Sequence, residues 1–174
     1  MSRSPEVRLA DVDEPMLERL LELAQRDASA DDATPPLGNG TGWNTERINW
    51  FRNFHRSAAA GLDGPGAEKS WAVLCDGSAA GSVRLKMIDD GTAQSGTAET
   101  GIWLGRNYRG LGVGGAALML VLAEARRAGL RQMLAHTTAG NVGAQRLLTA
   151  AGAVLTHGDG GAVRAVVVLS SGSQ

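Results

Sequence analysis

The stretch "WLGRNYRGLGVGGAAL", Trp103 to Leu118, carries five glycines, at 105, 110, 112, 114 and 115, and runs directly into an apolar segment. Glycine is the poorest helix former after proline, so its crowding at a helix threshold needs a cause. One cause is close packing in a tight strand-to-helix turn. The other is an anion. Glycines at 110, 112, 114 and 115 let backbone N–H groups turn inward. The helix they open brings unpaired donors and a partial positive charge to the same place. Arg106 and Arg109 flank the loop and favour the anion.

Two familiar phosphate loops do not fit. A P-loop needs G-x-x-x-x-G-K-[ST], and there is no lysine here. Gly110, Gly112 and Gly115 satisfy G-x-G-x-x-G, but that dinucleotide motif also wants an acid about 20 residues on. Between Glu124 and Asp159 there is no Asp or Glu. The strand before the loop also belongs to an antiparallel meander rather than to a parallel βαβ start.

Working outward, "TAETGIWLG" (Thr97 to Gly105) reads as the last strand of that meander. "SWAVLC" (Ser70 to Cys75), an Asp76-Gly77 turn and "AAGSVRLKMI" (Ala79 to Ile88) supply the first two, and "DDGTAQSG" is a polar connection. After the glycine loop a helix runs from about Val113 to Ala128 and stops at Gly129. "LRQMLAHTT" is a strand. Asn141 caps a short helix with an apolar stripe of Ala144, Leu147, Leu148 and Ala151. "AVLTH" and "AVRAVVVL" close the chain as a hairpin.

Toward the N-terminus, "VRLA" is a short strand. Asp13, Glu14 and Pro15 start a helix whose stripe holds Met16, Leu20 and Leu23, with Leu17, Leu21 and Ala24 beside it. Residues 28–42 read as a loop. Thr45 and Glu46 open a second helix to about Ala60, with Trp43, Trp50 and Phe54 on one face. The order predicts the α/β (α+β) class: a mixed, mostly antiparallel sheet of about six to seven strands flanked by about four helices. A single domain over 1–174 is expected, with 1–4 and 170–174 disordered.

"NYRGLGVGGAAL" resembles the acyl-CoA pyrophosphate loop of the GNAT superfamily of N-acetyltransferases, [QR]-x-x-G-x-[GA], here Arg109, Gly112 and Gly114. "LAHTTAGNVGAQRLLTAAGAVL" is similar to the second motif of that family, an Asn opening a short helix with a Gly before the next strand. The wording of residues 97–155 is similar to the branch that acetylates ribosomal-protein N-termini and to its small-molecule relatives. The first 96 residues match in layout only.

The resemblance implies acetyl-CoA as co-substrate, with no metal, and a GNAT-like fold. It implies that the amides of Gly110, Leu111, Gly112, Val113, Gly114 and Gly115, with Arg109, hold the pyrophosphate. It implies that pantetheine pairs with Ile102, Trp103 and Leu104 where neighbouring strands splay, and that Asn141 bonds the pantetheine arm. Asn141 is equally readable as a plain N-cap. Arg146 is readable as a solvated arginine or as facing the adenosine phosphates.

An alkyl amine, with a pKa of about 10.4, arrives charged and must lose a proton. Alternation puts Glu99, Gly101 and Trp103 on one face, and a mid-strand glutamate is unfavourable unless exposed or employed. The resemblance implies that Glu99 relays the proton through water and that the N–H of Leu104 meets the oxyanion. His136, on the next strand, competes as base, since imidazole titrates near neutrality. His55 and His157 read as surface residues. The family's tyrosine acid is absent, since Leu148 stands there. Ala144 replaces the serine of the ribosomal branch, and Tyr108, beside the loop, reads as packing. Either another group protonates the thiolate or it leaves unassisted.

Trp43, Glu46 and Trp50, with Asp31 and Asp32, are the expected acceptor wall, because aromatic faces and carboxylates attract a cation. The expected acceptor is a small-molecule primary amine: an aminoglycoside, another amino antibiotic, a polyamine or an amino acid. A protein N-terminus and a non-catalytic acyl-CoA-binding regulator are the alternatives.

Composition sets the outer limits. The formal net charge of −1 argues against nucleic acid as partner. Only Lys69 and Lys86 are lysines; the other cations are arginines, which suit bidentate phosphate contacts. The longest apolar run, Val113 to Ala123, is too short to span a membrane. The N-terminus lacks a signal-peptide core and the lone Cys75 allows no internal disulfide, so the expected location is cytoplasmic. A homodimer is compatible with these limits.

Overall fold

Asp13 accepts a hydrogen bond from the Met16 amide and so caps the first helix, with Pro15 just inside it. In the computed structural model, which describes residues 3–88 and 96–169, that helix is α1 (Glu14–Asp27). The strand β1 (Val7–Asp11) precedes it. Then follow α2 (Ala30–Ala33), α3 (Thr45–Ala58), β2 (Glu68–Cys75), β3 (Ser78–Ile88) and β4 (Thr97–Leu104). The glycine loop leads into α4 (Val113–Arg127), then β5 (Gln132–Thr138), α5 (Val142–Ala150), β6 (Val154–His157) and β7 (Ala162–Val168). The connection read at 89–96 lies, except for Gly96, outside the described residues, as do residues 1–2 and 170–174.

The strands form a seven-stranded sheet in the order β1-β2-β3-β4-β5-β7-β6. All neighbours are antiparallel except β4 and β5. This is the mixed, mostly antiparallel sheet expected. Among the described residues there are five helices, where about four were expected. The extra turn, α2, lies inside the stretch read as loop, where the Ser29 amide donates to Asp32 Oδ2 at 3.2 Å and closes a capping geometry.

Alternation along the strands divides the apolar side chains between two cores. On one face Trp71, Val73, Cys75, Val83, Leu85 and Ala98 pack with Val113, Ala117 and Val121 of α4 and Leu148 of α5. On the other, Ala72 and Leu74 pack with Leu17, Leu20, Leu21 and Ala24 of α1 and Phe51 of α3. Cys75 is a free thiol in the first core, and burial pushes its pKa up.

The face that α3 buries differs from the one read off its aromatics. Arg47, Phe51, His55 and Ala58 are the buried residues, at helical spacing. Trp43 precedes the helix and meets Phe51 edge-on, ring centroids 6.2 Å apart. Trp50 and Phe54 stack on each other at 5.1 Å. His55, read as a surface residue, is 2% exposed. Hydrogen bonding makes two polar residues tolerable in this stripe. The Arg47 guanidinium reaches Asp31 at 2.8 Å and the Leu37 carbonyl at 3.3 Å, and His55 Nδ1 lies 2.8 Å from Ser70 Oγ. His157 is exposed, as expected.

Candidate active site

The sheet parts between β4 and β5. They pair only through Thr97 with Gln132, Ala98 with Met133 and Glu99 with Leu134. Beyond Glu99, residues 100–104 keep β3 as a partner and lose β5. Gly105 donates to the Ala80 carbonyl at 2.9 Å, so its peptide groups face β3. These groups alternate sides along an antiparallel strand, so those of Ile102 and Leu104 face the gap. The splay thus exposes a short edge of β4 to which an extended amide-bearing chain can add.

The glycine loop lies at the end of that edge. Gly110 and Gly112 have φ of 74° and 85°, a region that L side chains rarely adopt, which is the backbone reason for glycine at both. The amides of residues 110–115 find no acceptor among the described residues. A Cβ built at Gly110, Gly112 or Gly115 would meet nothing within 4 Å, so the space beside each of them is open. Gly114 differs: a Cβ there would come 2.9 Å from Leu147 Cδ1, so it serves packing against α5. Free donors at a helix start, on an open cradle, fit the diphosphate of an acyl-CoA.

Arg109 is committed within the protein. Its guanidinium donates to the Leu104 carbonyl, from Nε at 3.1 Å and Nη2 at 2.9 Å, and to Asp32 Oδ2 at 3.1 Å. Burial alone would raise the Asp32 carboxyl; Arg109 and Ser29 outweigh it and hold the pKa below its usual value. Asn141 Oδ1 accepts from the Ala144 amide at 3.0 Å, which is the plain N-cap. Its Nδ2 has no acceptor among the described residues and remains a free donor.

Beside the edge opens a cleft of about 730 Å³. Its floor is a grid of side chains fixed by register. Glu68, Lys86 and Glu99 stand abreast on β2, β3 and β4, and Ser70, Arg84 and Gly101 form the next row. Arg84 reaches both glutamates, Glu99 Oε1 at 3.0 Å and Glu68 Oε2 at 3.5 Å. Gly101 makes room for it, because a Cβ there would come 3.1 Å from Arg84 Nε. On the far side, His136 Nε2 lies 3.8 Å from Glu99 Oε2. Trp50, Phe54 and His55 line the cleft from α3. Burial lowers the pKa of His55 to about 4, so its ring is neutral at physiological pH.

Glu99, Ile102, Trp103 and Trp50 therefore line one cleft, with Asp32 at its border. Trp43 does not join them; it packs into the second core, and its Nε1 points to the Ala28 carbonyl at 3.5 Å. Glu46 is exposed in the first turn of α3, outside the lining, and Asp31 pairs with the buried Arg47. Leu148 is buried core and Tyr108 packs against that same core. Arg84, Glu68 and Lys86 escaped the sequence reading, although Ser82, Arg84 and Lys86 are polar at every second position of β3. That run marks a polar sheet face under helices.

Residues 17–153 match the family model described as Acetyltransferase (GNAT) family. No curated protein matches the chain. Solved structures do, over nearly its whole length. The GNAT domain of S. lividans PAT is 22% identical with TM-score 0.71, covering 95% of this chain and 90% of that one. Mycobacterium smegmatis RimJ, in complex with a CoA-disulfide, is 16% identical with TM-score 0.72, covering 97% and 84%. RimL, a ribosomal L7/L12 α-N-protein acetyltransferase in complex with coenzyme A, is 15% identical with TM-score 0.71, covering 94% of each chain.

Proposed function

The chain belongs to the GNAT acetyltransferase family and acts with acetyl-CoA; from that premise we propose that its acceptor is the primary amine of a small molecule, acetylated by direct attack in a ternary complex. The observation that carries this reading is the cleft of about 730 Å³ whose floor holds Glu99 beside the free edge of β4. That volume falls within the range of roughly 300–1,000 Å³ usual for small-molecule sites.

Acetyl-CoA supplies the activated acetyl thioester. The amides of residues 110–115 cradle its diphosphate, and Ile102, Trp103 and Leu104 present the edge along which its pantetheine arm lies. Asn141 offers Nδ2 to that arm. Arg109 acts on this edge indirectly, by fixing the Leu104 carbonyl. The acceptor ammonium enters over the grid, where Glu68 and Glu99 offset the charges of Arg84 and Lys86. Glu99 takes its proton, directly or through a water, and the amine nitrogen attacks the thioester carbonyl. The Leu104 N–H, pointing into the gap, stabilises the oxyanion. Neither Leu148, which is core, nor Ala144 offers the sulfur a hydroxyl. A thiol pKa near about 8.5 makes unassisted departure of thiolate chemically tolerable.

The test measures free-thiol release from acetyl-CoA against a panel of amino sugars, polyamines and amino acids, with peptides bearing free N-termini as a separate arm. Turnover with a small amine supports the reading. Turnover confined to peptides replaces it with protein N-terminal acetylation. Tight acetyl-CoA binding in calorimetry with no turnover on any amine makes the chain a binding regulator.

A further inference from the structure

We propose that Glu99 and His136 form a proton relay out of the site, with Arg84 as the residue that positions the Glu99 carboxylate; this rests on the reading of Glu99 as base. The two oxygens of that carboxylate face different partners. Oε1 is held by Arg84 at 3.0 Å, and Oε2 faces His136 Nε2 at 3.8 Å. The second separation exceeds a direct hydrogen bond and is closed by a small side-chain turn or one bridging water.

Three features make the arrangement directional. Glu99 is the last residue of β4 paired to β5, so its carboxylate stands where the sheet opens. Arg84 grips it from the β3 side and is itself braced by Glu68, in a bed that only glycine at 101 leaves clear. His136 is two residues beyond Leu134, the β5 partner of Glu99, and its side chain is 58% exposed against 32% for Glu99. His136 does not line the cleft and is the more exposed of the two. Glu99 faces its ring from β4, with Arg84 beyond Glu99, and Arg164 is its register partner on β7.

The protons balance. The acceptor ammonium loses two in becoming an amide. The first N–H bond breaks with its electron pair left on nitrogen, and the proton bonds Glu99 Oε2. It passes to His136 Nε2, restoring the carboxylate, and the imidazolium releases it to water. The nitrogen pair attacks the carbonyl carbon, and the C–S bond breaks with its pair going to sulfur. The second proton ends on that sulfur.

The test uses the full-length enzyme at saturating acetyl-CoA and amine, in dilute buffer. His136→Ala is expected to lower kcat about tenfold or more with both KM values unchanged. Added imidazole should restore much of the loss, while wild type stays indifferent to it. Arg84→Gln is expected to lower kcat with no response to imidazole, because it disturbs position rather than proton transfer. Wild-type kcat in His136→Ala, or a deficit that ignores imidazole, overturns the relay. Full activity in Glu99→Gln overturns the base reading itself, whatever His136→Ala does.

Discussion

The carbonyl oxygen of Leu104 accepts two hydrogen bonds from the guanidinium of Arg109, at 2.9 and 3.1 Å. One arm of the same guanidinium reaches Asp32. The last residue of β4, the entrance of the glycine loop and the short helix α2 are thus tied at a single planar group. Arg109→Lys keeps the charge and loses the fork. Charge-assisted bonds of this kind contribute roughly 1.5–3 kcal/mol each. The substitution should raise the acetyl-CoA Kd about tenfold in calorimetry. An unchanged Kd would mean that the Leu104 carbonyl needs no anchor.

Gly115 offers a test in which stability and binding move in opposite directions. It lies in the first turn of α4, and a Cβ there meets nothing in the protein. Gly115→Ala should therefore stabilise the fold slightly, by up to about 1 kcal/mol. A methyl added beside the amides that hold the diphosphate should weaken coenzyme A binding at least about tenfold, roughly 1.4 kcal/mol. A raised melting temperature with undiminished binding would move the diphosphate away from this helix start.

Glu99→Gln retains shape and loses basicity. Positioned general bases contribute about 10²–10⁴ in rate, so kcat should drop by that factor with the acetyl-CoA KM unaltered. Steady-state thiol release reads both numbers.

His55 makes stability depend on pH. Its pKa is about 4 in the folded chain, against about 6.5 for an unfolded histidine. Between those values the unfolded chain binds more protons, so its contribution is complete above pH 6.5 and fades as pH falls toward 4. At about 1.36 kcal/mol per unit, up to about 3 kcal/mol is lost across that window. Urea unfolding at pH 7 and pH 4.5 should show the fall in wild type and a smaller one in His55→Asn, which still offers Ser70 a partner.

The parts of this site that were legible in the sequence are those with local causes. The glycine turn at 110 and 112, the Asn141 cap and the alternation of Glu99, Gly101 and Trp103 are each set within a few residues, and each stands where its pattern placed it. The stripe of α3 was misread because periodicity counts apolar residues, whereas Arg47 and His55 are buried by virtue of partners far along the chain, at Asp31, Leu37 and Ser70. An aromatic face that attracts a cation makes Trp43 a candidate wall, but its contacts with Phe51 and the Ala28 carbonyl put it in the second core. The grid of Glu68, Lys86, Glu99 and Arg84 depends on the register of three strands, which no single segment encodes. Where β4 parts from β5 is likewise a property of the pair.

The placement of Cys75 has a practical outcome. Its sulfur lies in the core and its proton is held more tightly than that of an ordinary thiol, so the nucleophilic thiolate is scarce and hard to reach. Every turnover of this enzyme releases a mercaptan into the medium. The protein cannot readily trap that product as a mixed disulfide, nor compete with it for a chromogenic thiol reagent while folded. Colour developed during catalysis therefore counts product alone, and a delayed second rise in the same trace reports the chain coming apart.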